Sequence, residues 1–504
     1  MTIKPATGKR WRKVPAVLDS LYAQWRVRCG VAPILHDDND SPPERLLQAI
    51  WQHQRVVRDR LTTLEGRPLR VLHPGFHSVE SGPDFRGAVV QIGQGPVQVG
   101  DVEVDLRASG WRAHGHDRNP AFGQVVLHVV WDSENRSGPD RAPPRMALRP
   151  VLDAPLGELS QWLGGDPLQT FPEELRGQCS APLRELQPAQ LVDLMHQAAQ
   201  VRLRSKAAQF QARGRQSGWE QSLWEGLFRG LGYKHNVWPM QRLAELRARW
   251  SAPPLNPLAV QARLLGLSGL LPAELTRTQA GTDRYLRAVW DQWWRERDEL
   301  ADGILPREVW RLHGLRPANH PQRRLALASG WSVAGDIPAK LEAWCLRDET
   351  HGAATVSLLA VLQAPPDDFW SWHWTLRSAR LKSAQPLLGA TRVTDLAVNV
   401  VLPWLWIRAS EGGSESVRRR LERVYFGWPA AEDNSLLRLA RQRLLGGAGR
   451  RALPGAAAQQ GLIQIVHDFC DHSDALCRDC KLPALVRELC RGKSNSLVCR
   501  PPEV

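Results

Sequence analysis

Three acidic residues are predicted to lie close together in a β-hairpin. Asp84 precedes one strand pattern, and Glu103 and Asp105 alternate with valines in the next, "GDVEVDL", residues 100–106. Residues two apart on a strand share a face, so Glu103 and Asp105 should be neighbours, and the intervening turn brings Asp84 towards Glu103. Because like charges repel, a divalent cation such as Mg²⁺ or Mn²⁺ would stabilise the group. The alternative is a solvated acidic strand face.

Three histidines follow this hairpin. His114 and His116 lie in the loop "GWRAHGHD", residues 110–117, and His128 lies on the next strand pattern. Histidine titrates near neutral pH, so each could act as a general base or bind a metal. The alternative is structural, with hydrogen-bonded loop histidines and a His128 that is satisfied in the core.

A fourth acid lies on the element that precedes the hairpin. Apolar residues at helical spacing predict a helix over residues 44–60, which begins with Glu44. Alternating apolar residues then predict four strands, with Gly-, Pro- and Asn-rich turns between them. These strands cover residues 68–75, 87–93, 97–106 and 124–131.

This order of elements resembles the core of the PD-(D/E)xK nucleases. The resemblance rests on Pro83-Asp84 before one strand, Glu103 on the second strand and Glu44 on the preceding helix. It implies that Asp84 and Glu103 bind the metal and that Glu44 assists them. His114 or His116 would then serve as the base.

Asp105 is the departure from that pattern, because the resemblance places a lysine at this position. An aspartate cannot supply a lysine's positive charge. Three interpretations remain open: Asp105 is an additional ligand in the catalytic group, a base from elsewhere replaces the lysine, or the core is degenerate and does not catalyse a reaction.

Longer motifs resemble an uncharacterised bacterial family, the domain of unknown function 2851. The motifs include "VLHPGFHSVESGPDFRGAVV", "GLGYKHNVWP" and "RPANHPQRRLALAS". The resemblance extends over most of the chain, up to the cysteine-rich segment "FCDHSDALCRDC". The family implies no activity, so a nuclease function is inferred from the local pattern alone.

Eight cysteines in 504 residues do not indicate a disulfide framework, but five of them follow residue 469. The C-x2-C pair Cys477 and Cys480, with Cys470 upstream and Cys490 downstream, is typical of a Zn²⁺ site or an iron–sulfur cluster. A structural metal would stabilise a segment with little core of its own. The alternative is a group of reduced thiols without metal.

An arginine-rich motif, "RPANHPQRRLALAS", lies at residues 316–329. Arg316, Arg323 and Arg324 surround a turn and a predicted helix start, where they could bind phosphates. Alternatively, these side chains fix an interhelical turn through carbonyl and carboxylate oxygens.

Composition completes the sequence-based prediction. The 504 residues carry a net charge of +14, which favours an anionic partner such as DNA or RNA. No stretch of the sequence is typical of a membrane span, and we expect a cytoplasmic protein.

The predicted fold class is α+β. It comprises a mixed α/β nuclease-like sheet domain at 31–152, a mostly helical region at 180–445 and a cysteine-rich tail at 461–504. The predicted function is a metal-dependent nuclease or, alternatively, a non-catalytic nucleic-acid or protein interaction factor.

Overall fold

The computed structural model describes thirteen stretches of the chain. They are residues 20–31, 41–78, 82–132, 143–163, 177–233, 235–247, 256–275, 284–347, 349–432, 434–446, 455–470, 477 and 480–491.

One mixed sheet forms the first part of the described chain. Its strands are β1 (Leu69–His73), β2 (Phe76–His77), β3 (Phe85–Ile92), β4 (Val97–Asp105), β5 (Val125–Val130) and β6 (Arg145–Ala147). The spatial order is β1-β3-β4-β5-β6, and β2 pairs with β3. The pairs β1–β3, β2–β3 and β3–β4 are antiparallel, whereas β4–β5 and β5–β6 are parallel. The parallel step from β4 to β5 requires a crossover, and this crossover carries His114 and His116.

The four predicted strands correspond to β1, β3, β4 and β5. The predicted helix over 44–60 is shorter than expected, because helix α2 ends at His53 (Glu44–His53). Gln54 adopts a left-handed conformation with φ of +46°, and its side chain donates to the main-chain oxygen of Trp51. This local cap ends the helix although the apolar spacing continues.

Helices dominate the described chain after the sheet. Helices α1 (Leu21–Arg28) and α2 precede the sheet, and α3 (Gly110–Ala113) lies between β4 and β5. The helices that follow the sheet are α4 (Leu156–Leu163), α5 (Ser180–Glu185), α6 (Pro188–Ser217), α7 (Trp219–Leu231), α8 (Val237–Leu246), α9 (Pro257–Leu267), α10 (Arg284–Glu296), α11 (Pro321–Ala334), α12 (Ile337–Cys345), α13 (His351–Leu362), α14 (Ala390–Leu396), α15 (Leu402–Glu411), α16 (Glu415–Phe426), α17 (Ser435–Leu445), α18 (Gly455–Phe469) and α19 (Leu482–Cys490). Short 3-10 turns lie at Arg58–Arg60, Pro120–Phe122, Arg149–Val151, Ala301–Gly303, Arg307–Val309 and Pro317–Asn319, and a π-helical turn lies at Ala397–Val401. The prediction of an α+β chain with a sheet first and a mostly helical region afterwards is therefore confirmed at this coarse level.

Helix α6 connects three hydrophobic cores. Its first turns pack Leu194 and Met195 with helices α1, α18 and α19. Its middle packs Leu203 into the large helical core, and Ala212 near its end reaches the core of the sheet. A single 30-residue helix thus joins the regions that the sequence presented as separate.

The boundary predicted at residue 461 falls inside helix α18. That helix is buried along its described length and packs on α6, so the Gly- and Ala-rich composition of its first turns reflects close helix packing. The tail therefore shares a core with helices α1 and α6. Among the described residues, no helix is both long and apolar enough to cross a membrane.

Candidate metal centre

The carboxylate of Asp84 is held where strand β3 begins. One oxygen accepts a hydrogen bond from the Gln48 side chain at 2.8 Å, and the other accepts one from the Val104 main chain at 3.0 Å. The main-chain N–H of Asp84 in turn donates to Oε2 of Glu103 at 3.1 Å. The hairpin therefore brings Asp84 and Glu103 together, as the sequence predicted.

Asp105 lies between two histidines. Its Oδ2 is 2.9 Å from Nε2 of His128, and its Oδ1 is 3.3 Å from Nδ1 of His114. Helix α3 packs tightly over this group, because a Cβ atom added to Gly110 would lie 2.7 Å from Oδ1. A glycine at the start of α3 therefore leaves room for the carboxylate of Asp105.

His116 lies in the same crossover loop and approaches Glu103. Its side chain is 10% exposed, and its ring lies 3.9 Å from the ring centre of Phe122 and 5.5 Å from that of Trp111. Nε2 is 3.4 Å from Oε1 of Glu103, but the two groups are not aligned for a hydrogen bond. Within the described part of the chain, both ring nitrogens lack a hydrogen-bond partner. A buried imidazole in this condition has a lone pair available for a ligand.

The acids of the site repel one another in a buried environment. Burial, and next the charge of Asp84, raises the pKa of Glu103 to about 9. Burial, with a smaller contribution from Glu44, raises the pKa of Asp84 to about 7, against hydrogen bonds that lower it. Burial and then Asp105 also raise the pKa of Glu44. A nearby cation would lower all three pKa values.

One group of side chains has the spacing of a metal site. The ligand atoms of Asp105, His114 and His116 all lie within 4.8 Å of one another. Among the described residues, the set predicted from sequence, Glu44, Asp84 and Glu103, does not form such a group. The reason is the position of the crossover loop, which places two histidines above Asp105, whereas Gln48 and Val104 hold the carboxylate of Asp84.

The group is open to solvent on the side of His114, and two arginines on the same crossover are exposed. The side chain of His114 is 55% exposed, and Arg107 and Arg112, on the same crossover, are exposed too. The sequence-based prediction did not include these two arginines. Gln48 was also missed, although it lies four residues after Glu44 and so shares a helix face with it.

The arginines predicted to bind phosphate have a different environment. Arg323 and Arg324 are 1% and 4% exposed. Arg323 donates to the main-chain oxygens of Trp370, His373, Gln385 and Pro386, and Arg324 donates to those of Leu387 and Ala318. These contacts correspond to the structural alternative, in which buried guanidinium groups fix a turn, and nucleic-acid binding by Arg323 and Arg324 stays a prediction. Arg316 is on the surface, with its side chain 80% exposed.

The described cysteines of the tail fall into two environments. Cys470 is buried, and Cys477 and Cys480 are half-buried near the start of α19. Cys490 is exposed at the last position of that helix, and its Sγ lies 3.7 Å from the main-chain oxygen of Pro182. The helix between Leu482 and Cys490 spans about 12 Å.

Fold and site together define a mixed α+β protein with a partly exposed cluster of histidines and carboxylates at a strand crossover. The chain belongs to the family described as "Protein of unknown function (DUF2851)", whose model matches residues 44–435. The match includes Glu44, Asp84, the hairpin and the histidines, whereas α1 and the cysteines after residue 469 lie outside it. No curated protein and no solved structure matches the chain.

Proposed function

We propose that the protein is a metal-dependent nuclease whose metal is bound by Asp105, His114 and His116. The observation that carries the proposal is the compact arrangement of these three side chains. Both ring nitrogens of His116 lack a hydrogen-bond partner among the described residues, so one of them is available to a metal. Imidazole and carboxylate ligands together suit Mn²⁺, Fe²⁺ or Zn²⁺ better than Mg²⁺. Mn²⁺ is thus the better supported of the two ions expected from the sequence.

The neighbouring acids would supply the proton transfers. A bound metal lowers the pKa of a coordinated water, which could then attack a phosphodiester. Glu103 is next to His116 and would act as a further ligand or accept the proton of this water. Asp84 has a pKa of about 7, in the range that suits a general acid or base at neutral pH.

The choice of a phosphodiester rests on charge. The net charge of the chain is +14, and Arg107 and Arg112 are exposed on the crossover that also carries His114. Because Asp105 occupies the position of the lysine in the resembling nuclease core, the positive charge at the transition state would come from the metal and these arginines.

A non-catalytic role in nucleic-acid binding is the second candidate. It is favoured by one observation, the buried contact between Asp105 and His128 at 2.9 Å. This contact gives the Asp105 carboxylate a hydrogen-bond partner without a metal. On this alternative the same arginines would bind the backbone, and no bond would be cleaved.

The test is a cleavage assay on labelled single-stranded and duplex DNA and RNA. Wild type, His116→Ala and a control, His313→Ala, whose histidine is exposed on the surface, are compared in EDTA, Mg²⁺, Mn²⁺, Fe²⁺ and Zn²⁺. We expect cleavage with Mn²⁺ in wild type and in the control, and a rate at least ~100-fold lower in His116→Ala.

Two results would contradict the nuclease. Cleavage that is equally fast in His116→Ala would show that another site or a contaminant is responsible. Absence of cleavage with every ion, together with salt-dependent binding, would establish the non-catalytic alternative instead.

A further inference from the structure

Three cysteines from distant parts of the sequence share one core, and Cys477 adjoins it because its main-chain oxygen lies 3.5 Å from the main-chain nitrogen of Cys480. Cys179 precedes helix α5 and is buried in the core that α1, α6, α18 and α19 share. Cys470 directly follows α18 and is buried in the same core, and Cys480 packs against it. The Sγ atom of Cys480 is 3.9 Å from the main-chain oxygen of Phe469, next to Cys470.

Three of the five tail cysteines affect the pKa of the Cys179 thiol. Burial raises its pKa most, and the charges of Cys470, Cys480 and Cys477 raise it further, in that order. Electrostatic effects of this kind require short separations in a protein interior. The shared core places Cys179 in the same part of the fold as Cys470 and Cys480.

Two local features would stabilise a thiolate at this place. The main-chain N–H of Leu482 bonds to Cys480, and the buried Arg443 is close enough to lower its pKa, although burial has the larger, opposite effect. The backbone of Cys477 is strained, because its φ of +71° is an uncommon value for a residue with a side chain. Such strain is often retained where a ligand or metal fixes the residue.

We propose that Cys179, Cys470, Cys477 and Cys480 are the four thiolate ligands of one metal centre, and that this centre is an iron–sulfur cluster. Cys179 thus takes the place that the sequence-based prediction gave to Cys490. The site joins α5, which lies in the region before α6, to the two helices α18 and α19.

The separation of the sulfur atoms favours a cluster over a single ion. Zinc–sulfur bonds of 2.3 Å would place the sulfurs of a tetrahedral zinc site about 3.8 Å apart. All four cysteines belong to the described residues, yet no three of their sulfurs lie within 4.8 Å of one another. A multinuclear cluster with four cysteine ligands fits wider spacing.

The experiment measures iron, acid-labile sulfide and zinc in the full chain after anaerobic purification, together with visible absorption. Wild type is compared with Cys179→Ser and Cys477→Ser, and with three controls. Cys490→Ser removes the ligand predicted from sequence, Cys29→Ser removes a thiol directly after helix α1, and Cys345→Ser removes a buried thiol in another core.

We expect iron and sulfide in wild type and in the three controls, and their loss in Cys179→Ser and Cys477→Ser. Zinc with the same dependence on the variants would overturn the cluster. Metal that persists in Cys179→Ser, that is lost in Cys490→Ser, or that is absent from anaerobic wild type would overturn the four-cysteine site. If Cys179→Ser does not fold, Cys490→Ser decides: iron and sulfide retained at the wild-type ratio support the site, and their loss overturns it.

Discussion

Glu103 is a buried carboxyl group whose neighbours include other acids. Its pKa of about 9 follows first from burial and then from Asp84. At neutral pH it therefore holds a proton unless a cation is bound. Proton and metal compete for the same oxygen atoms, so the occupancy of the site should increase with pH.

The first prediction concerns this competition. The pKa values of Glu103 and Asp84 are higher in the folded protein than their ordinary values of 4.5 and 3.8, so the folded state binds more protons than the unfolded state. Without a divalent cation, the free energy of unfolding should consequently fall as pH rises from about 5 to about 9. Thermal denaturation of wild type and Glu103→Gln measures this slope, which should be smaller in the variant.

Glu308→Gln is the matched control, because Glu308 is exposed, and it should retain the wild-type slope. Mn²⁺ should raise the melting temperature of wild type more at about pH 8.5 than at about pH 6. An equal effect of Mn²⁺ at both pH values would contradict a site that contains Glu103.

At the scale of elements, helices α6 and α18 cross with almost no space between their backbones. A Cβ atom added to Gly461 would overlap the main-chain oxygen of Met195. Because this obstacle is backbone and not a flexible side chain, the helices would have to separate. The crossing therefore depends on the missing side chain of one glycine.

The second prediction follows from this crossing. Gly461→Ala should lower the free energy of unfolding by about 3 kcal/mol, at the upper end of overpacking costs. The control Gly352→Ala, in a helix where an added Cβ meets nothing within 4 Å, should instead be neutral or stabilise by up to ~1 kcal/mol, as alanine favours helix. Chemical denaturation measures both, and similar values for the two variants would contradict the close crossing.

Local sequence patterns predicted the strands and helices better than they predicted which distant residues come into contact. Strict alternation around Glu103 placed β4, and the turn before it correctly brought Asp84 near. Strand β6 has three residues and no such signal. The cluster of Asp105 with His114 and His116 depends on how the crossover folds over the sheet, and no spacing in the sequence encodes that. Cys179 lacks any cysteine neighbour in sequence, so only tertiary structure could associate it with the tail.

At the scale of the whole molecule, an ion pair connects the first described helix, α1, to α18, near the end of the described chain. Arg26 on α1 lies with Nε 2.9 Å from Oδ2 of Asp468 on α18, and the hydroxyl of Tyr22 donates to the same oxygen at 2.6 Å. Burial opposes ionisation of Asp468, but Arg26, His467 and Tyr22 outweigh it and lower the pKa to about 2. The Nε–H is not aligned for a hydrogen bond, so the attraction to Arg26 is mainly electrostatic.

The third prediction removes this pair. Arg26→Met should cost about 3–5 kcal/mol in the free energy of unfolding, since it leaves a buried carboxylate without its counter-charge. Arg28→Met, two residues further on, removes an exposed pair with Glu488 and should cost about 1 kcal/mol or less. Equal losses in urea denaturation would show that α1 is not anchored through Asp468.

The sign of the pH effect provides an independent check. The pKa of Asp468 is lower in the folded protein than its ordinary value of 3.8, so its contribution is present above about pH 4 and is lost as pH falls towards 2. Wild type should therefore lose stability more steeply than Arg26→Met over this acidic range.

The core shared by α1, the start of α6, α18 and α19 has a consequence for synthesis of the chain. Helix α1 is made before its partners: Gln197 of α6, which accepts a hydrogen bond from the main-chain N–H of Tyr22, follows that residue by 175 residues, and Asp468 follows it by 446 residues. Until Asp468 is made, Arg26 lacks its buried counter-charge and the core around α1 is incomplete, because a core can form only once its segments are available. Cys179 is likewise made before Cys470, Cys477 and Cys480, so a metal bound by all four could be inserted only after these three residues have been translated.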